Sequence, residues 1–250
     1  MLHSIPTVDG WGNIKKERKD FSMNGSCFFK LLIFGLCVFA GCGKKKNEKL
    51  AQNYYKLSLA ELSREVGSQG TELLAYKRAL DYIDKALDQH TNAEYLAFKA
   101  TLLFKLQNFE ETKRFFALAL KEKMPAVLKG EVLNNYACFL AQNKQEPEAL
   151  EIWNNLVRDE YYLTPEVAYV NQGKIYGTKN EYLKAKACFL KALELAPDYL
   201  DAHYYLAALA QEHGDSSLAK NSINSALYLD PSNTGIILAA QQLGIIIDKA

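Results

Sequence analysis

Pro197 and Pro231 are 34 residues apart, as are Ala185 and Ala219, and Ala192 and Ala226. A spacing kept by three residue pairs constrains the fold more than composition does, because a repeat must build the same local unit each time. The segments read AKACFLKALELAP (185–197) and AKNSINSALYLDP (219–231). In each, two alanines two helical turns apart share one face, with a larger residue, Phe189 or Ile223, between them. The alanines permit close approach of a neighbouring helix, and the larger residue fills the remaining space. The proline, which carries no N–H, helps to stop the helix. From about residue 51 onward the apolar spacing is helical throughout, and no segment alternates with the period of two that marks a strand.

Weaker copies precede these two. Residues 130–165 carry Tyr136, Ala137, Leu140, Ala149, Trp153 and Leu156 at the matching places, with two extra residues at the end. Residues 93–126 carry Leu96, Ala100, Asn108, Phe109, Phe116 and Ala119. Residues 51–92 carry Tyr54, Leu57, Leu62, Ala79, Ile83 and Ala86, with a longer turn around EVGSQGTE. The period and its A-x₃-F-x₂-A-x₄-P pattern resemble the tetratricopeptide repeat (TPR), a pair of antiparallel helices that buries its apolar face only by stacking on its neighbours. The resemblance implies an all-α, right-handed superhelical solenoid of about five helix pairs. Its first helices would line a concave groove, and GIILAAQQLGIIIDKA (235–250) would form a C-terminal capping helix.

Composition narrows the function. The 250 residues are 49% hydrophobic and 24% charged, which is ordinary for a globular chain, and a net charge of +1 gives no electrostatic footprint for nucleic acid. The cysteines (Cys27, Cys37, Cys42, Cys138 and Cys188) form no CxxC pair, and neither they nor the histidines have zinc-ligand spacing. The chain has no HExxH, no phosphate-binding glycine loop and no nucleophile–base arrangement. It reads as a protein-binding chain without catalytic residues, metal, cofactor or small-molecule substrate. His203 is expected to pack and His213 to be solvated beside the turn Gly214–Asp215. Glu110, Glu111, Glu146 and Glu148 are expected at helix starts, where carboxylates meet the positive dipole end. Cys138 and Cys188 are expected on different repeats as small packing residues, with a disulfide between them as the alternative that export would allow.

The N-terminal segment carries an address. Residues 28–41 read FFKLLIFGLCVFAG. The apolar stretch Leu31–Ala40 would rise only about 15 Å as a helix, against roughly 30 Å of hydrocarbon, so it reads as a signal-peptide core and not a membrane span. VFAGC resembles a bacterial lipobox, with Phe39 where leucine is preferred. The resemblance implies cleavage before Cys42 and acylation of its sulfur and new amino group. Two or three acyl chains hold a protein at a membrane, where one binds marginally. Gly43 follows the modified position, and the absence of Asp there favours the outer membrane, on its periplasmic face. The expected organisation is a leader and signal peptide over 1–41, a lipidated tether over 42–50 and a TPR domain over 51–250. Met23 is a candidate start.

Two further segments narrow the family. NNYACFL (134–140) and YYLTPEVAYVNQGKIY (161–176) resemble the type IV pilus biogenesis/stability lipoproteins, which show NNYG-x-FLC followed by Y-x-TPE-x-AY-x-N-x-G at this separation. Asn134, Asn135, Tyr136, Thr164, Pro165, Glu166, Ala168, Tyr169, Asn171 and Gly173 match. Two positions where that family often carries cysteine are Ala141 and Ile175, so those positions form no bridge in this chain. TPE is itself a helix-start signal: Thr164 as N-cap, Pro165 at the first position and Glu166 in the first turn. The resemblance implies a pilotin that binds the type IV pilus secretin and promotes its outer-membrane targeting and multimerisation. The alternative is a periplasmic TPR lipoprotein adaptor for outer-membrane protein assembly or cell-wall coordination. Groove-lining candidates on the first helices are Phe98, Phe104, Asn134, Asn135, Val170, Asn171, Tyr204 and Tyr205. Their amides would pair with a peptide backbone and their rings would bury its side chains.

Overall fold

The computed structural model describes residues 45–63 and 69–245. The signal peptide, Met23, the lipidated Cys42 and the centre of the long first turn lie outside the described residues. Within them are eleven helices: α1 (Lys45–Ser63), α2 (Gln69–Gln89), α3 (Ala93–Lys105), α4 (Phe109–Lys121), α5 (Ala126–Gln142), α6 (Glu146–Leu156), α7 (Pro165–Thr178), α8 (Tyr182–Leu195), α9 (Leu200–Glu212), α10 (Ser216–Leu229) and α11 (Thr234–Gln242). They fall into five consecutive pairs followed by a final helix, the expected TPR-type all-α architecture, and no strand occurs among the described residues. Helix α1 begins at Lys45, so residues 45–50, read from sequence as tether, are helical.

One turn geometry recurs at the end of every first helix from α3 onward. Gln107, Lys144, Asn180, Gly214 and Gly244 each take a left-handed backbone, with φ of 58°, 62°, 61°, 76° and 72°. The next residue's N–H then reaches back five residues: Asn108 to the Leu103 carbonyl (2.9 Å), Gln145 to Leu140 (2.8 Å), Glu181 to Tyr176 (2.9 Å), Asp215 to Ala210 (2.9 Å) and Ile245 to Ala240 (3.0 Å). This bond satisfies a carbonyl that the helix end would otherwise leave without a partner. The second helices then start on side-chain caps where the sequence supplies one. Asn108 Oδ1 accepts from the Glu111 N–H (3.4 Å) and Asp215 Oδ1 from the Leu218 N–H (3.1 Å). Glu110 and Glu111 lie in the first turn of α4, and Glu146 and Glu148 in that of α6, as their placement near helix starts predicts.

The described chain forms two compact units: one reaches Ile152 and includes Asp159–Leu163, the other holds Trp153–Arg158 and everything from Thr164. In the first unit, Ala51, Ala79, Ile83 and Ala86 are fully buried with Tyr55, Tyr95, Phe98 and Leu102 around them. A second set of rings centres on Phe139 of α5. Its ring lies edge-on to Phe104 at 5.6 Å and stacked on Tyr136 at 6.1 Å, with Phe109 and Phe116 each at 6.3 Å. In the second unit Ala185, Ala192, Ala219 and Ala226 are fully buried, and Phe189 and Ile223 fill the space between each pair. Gly173 of α7 allows the closest approach there: a Cβ at this position would stand 2.6 Å from the Phe189 ring. The sequence pattern and the packing thus agree on which residues are small and why.

Thr164 is the N-cap of α7, Pro165 sits in the first turn and Glu166 is buried beside it. The Thr164 side chain makes no capping hydrogen bond; its carbonyl accepts from the Val167 N–H at 3.0 Å. His203 bonds the Pro197 carbonyl through Nε2 (2.8 Å). His213 is exposed but not merely solvated: it stacks on Tyr182 at 4.3 Å, and its two ring nitrogens lie against oxygens, Nδ1 2.9 Å from the Leu209 carbonyl and Nε2 3.2 Å from Asn180 Oδ1. Cys138 and Cys188 are both free thiols.

Candidate functional site

The first helices supply the eight candidate lining residues, four to each unit. In the first unit Phe98 and Phe104 lie on α3, and Asn134 and Asn135 on α5, all buried. Phe98 meets Tyr55 edge-on at 5.3 Å, and Phe104 belongs to the Phe139 cluster. Asn135 is unusual: neither its amide nitrogen nor its amide oxygen has a hydrogen-bond partner, although only 3% of the residue is exposed. An unsatisfied buried polar group costs about 1–3 kcal/mol, so this side chain weakens the free protein. Asn135→Leu removes both unsatisfied atoms and is expected to stabilise the chain by about 1 kcal/mol, read as a higher urea midpoint with unchanged slope. An equal or lower midpoint would show that the amide is satisfied in solution.

In the second unit three of the four candidates, Val170, Tyr204 and Tyr205, form one neighbourhood. Val170 packs in a core with Ala185, Phe189, Leu206 and Leu209, and Tyr205 lies against it. The Tyr205 ring stacks on Phe189 at 6.2 Å and meets Tyr204 edge-on at 5.4 Å. Tyr204 packs in turn on the core shared with Ile223 and Ile236. Asn171 is buried on α7. Sequence reasoning passed over two residues here. Lys174, one helical turn beyond Val170, places its Nζ 4.6 Å from the Tyr205 ring centre, a cation–π arrangement. Asp201, one turn before Tyr205, has its carboxyl pushed up by burial, with Lys174 pulling the other way. The helical offset of four was the available signal for both. The neighbourhood offers a cation, a carboxylate and two half-buried phenol rings, a set suited to holding a polypeptide segment.

The Asp201 shift has a consequence for stability. Because the folded value lies above the unfolded one, the folded state keeps this proton to higher pH than the unfolded chain. The stability linked to it is present at low pH and is lost as pH rises through the ordinary carboxylate range to the raised value. Asp201→Asn is therefore expected to raise Tm near neutral pH and to flatten the fall in Tm as pH rises from the ordinary carboxylate value, about pH 4, toward neutrality. Melting curves at the two ends of that window test it, and parallel wild-type and variant profiles would overturn it.

The second unit also holds Cys188, whose thiol burial pushes up to about 11; its Sγ lies 3.9 Å from Gln172 Oε1, and Gln172 Nε2 donates to Asn154 Oδ1 at 2.9 Å. This is the environment of a packing thiol, not of a reactive one. Among the described residues, no group of three or more His, Cys, Asp or Glu is placed to hold a metal, and no helix is long and apolar enough to cross a membrane.

Paired helices joined by one repeated turn, with fully buried alanines at fixed offsets, define a TPR-type helical array. Two tetratricopeptide repeat family models match the sequence, at residues 167–199 and 188–221, spanning α7 to the start of α10. Among solved structures, the chain is similar to PilW, a type IV pilus biogenesis factor, with a TM-score of 0.62 and 19% identity over 78% of this chain and 90% of that one. It is similar to pilF of Pseudomonas aeruginosa, with a TM-score of 0.64 and 20% identity over 79% of this chain and 84% of that one. A curated relative, the protein O-mannosyl-transferase TMTC3 of Homo sapiens, is 27% identical over 191 residues. The match takes in 70% of this chain and 20% of that protein, so the chain spans about a fifth of its length. At these identities the structures establish the fold.

Proposed function

We propose that the chain is a lipid-anchored TPR scaffold that acts as pilotin for the type IV pilus secretin. It would hold secretin subunits at the periplasmic face of the outer membrane and promote their assembly. The observation that carries this reading is the pair of segments NNYACFL and YYLTPEVAYVNQGKIY, found on α5 and on α7 with the loop before it. The fold similarity to PilW and pilF over nearly four-fifths of the chain supports it. The lipobox-like VFAGC supplies the address: acyl chains on Cys42 would fix the array to the membrane while the helices bind protein.

The test compares wild type with Cys42→Ala in the native cell. Wild type should incorporate labelled palmitate, and it should bring down the secretin from detergent-solubilised membranes. Cys42→Ala should lose the label and leave secretin monomers outside the outer membrane. If wild type recovers no secretin, and secretin rings assemble normally without the protein, the pilotin reading is wrong. A labelled wild type that instead recovers outer-membrane assembly or cell-wall proteins would establish the adaptor reading.

A further inference from the structure

The loop between α6 and α7 differs from the other connections between repeats. Those present Thr91, Glu122 and Lys123, Pro197 and Asp198, or Pro231 and Ser232 to solvent. This one presents Tyr161 at 62% exposure and Leu163 at 56%, while Tyr162 between them is 4% exposed. The alternation is built. Tyr162 lies against Gly130 of α5, where a Cβ would stand 2.8 Å from the Tyr162 ring, so only glycine leaves the notch the ring occupies. Asp159 fixes the backbone leading into the anchor: its Oδ1 accepts from the Tyr161 N–H (2.9 Å) and its carbonyl from the Tyr162 N–H (3.1 Å). A loop pinned at its centre and held by two hydrogen bonds keeps two large apolar side chains in water, a placement that internal packing does not explain.

We propose that Asp159–Leu163 is a docking tab: Tyr161 and Leu163 enter an apolar hollow on a protein partner whose rim carries Lys or Arg to meet Asp159 and Glu160. The charge selects the partner class. Arg158, Asp159 and Glu160 are all exposed, and together they leave the loop with an excess negative charge. An anionic lipid surface repels such a loop, whereas a basic rim on a protein attracts it. Tyrosine at the centre of such a contact gives large buried area for few rotatable bonds, and pre-anchoring through Tyr162 removes the ordering that a free loop would undergo on binding. The proposal depends on the secretin reading only for which protein carries the hollow.

Photo-crosslinking in cells that make the full acylated chain tests it. p-Benzoyl-phenylalanine replaces Tyr161 or Leu163, and in a control it replaces Tyr228, which is 87% exposed on α10. The expected result is a discrete protein adduct from 161 and 163 but not from 228, mapped to an apolar surface bordered by Lys or Arg. In parallel, Tyr161→Ser/Leu163→Ser should keep the wild-type melting temperature and reduce capture of that protein at least tenfold. Glu160→Lys, which leaves the Asp159 hydrogen bonds in place, should weaken capture with a reduced salt dependence. An adduct to a protein other than the secretin keeps the tab and overturns the secretin reading. No discrete adduct, an adduct to lipid alone, or undiminished capture by the double serine variant overturns the tab and leaves the secretin reading to the Cys42 comparison.

Discussion

Phe139→Ala is expected to destabilise the chain by about 3–5 kcal/mol, the range for removing a fully buried phenylalanine. The ring is 0% exposed and touches rings from three helices: Phe104 on α3, Phe109 and Phe116 on α4, and Tyr136 on its own helix. Its loss removes transfer energy and leaves a cavity between elements that cannot close up together, because each is also held by its own partner helix. For a domain of this size the change corresponds to a fall in Tm of roughly 10 °C. Phe139→Leu keeps most of the volume and should fall between wild type and alanine. Chemical denaturation followed by circular dichroism reads the difference; a loss below about 1 kcal/mol would mean that the aromatic cluster collapses around the gap.

Gly173→Ala has a predicted sign that depends on one neighbour. Alanine is the better helix former by about 1 kcal/mol, so an unconstrained site would gain from the change. Here the added methyl would meet Phe189 Cε1 at 2.6 Å and Cδ1 and Cζ at 2.9 Å, and Phe189 is itself buried among Ala185, Ala192 and Leu206. Overpacking of this kind costs about 1–3 kcal/mol, which outweighs the propensity. Gly173→Ala should therefore destabilise in the wild-type background and stabilise when Phe189→Leu is already present. A double-mutant cycle measures the coupling directly. Loss of stability in both backgrounds would place the cause outside the Gly173–Phe189 contact.

What the sequence reveals follows from what periodicity encodes. Ala185, Ala192, Ala219 and Ala226 could be assigned to tight helix contacts because a 34-residue spacing repeats the same steric demand, and all four are fully buried. The same reasoning does not separate the faces of the first helices. On α5, Asn134, Asn135, Ala137, Cys138, Phe139 and Leu140 are all buried, so no polar stripe marks one side. A helix packed on several sides loses the amphipathic signal that would tell a groove from a core. Lys174 and Asp201 escaped notice for the opposite reason: each looks like a solvated surface charge until α7 and α9 bring Lys174 over the Tyr205 ring and within electrostatic reach of Asp201. The exposure of Tyr161 and Leu163 was illegible because Tyr-Tyr-Leu reads as an apolar run. What turns Tyr162 inward is Gly130, far upstream in the chain.

The five left-handed turns carry a consequence for how such a chain changes length. Gln107, Lys144, Asn180, Gly214 and Gly244 share a geometry but only two are glycine, so the joint tolerates different side chains while its reach-back hydrogen bond stays the same. A joint that accepts more than one occupant behaves as a standard coupling. Duplicating or deleting one 34-residue module between Pro197 and Pro231 would present the same ends to the same neighbours. The extent of surface offered to a partner is then set by counting modules, and a lineage could lengthen or shorten its reach in whole steps without redesigning any contact inside a module.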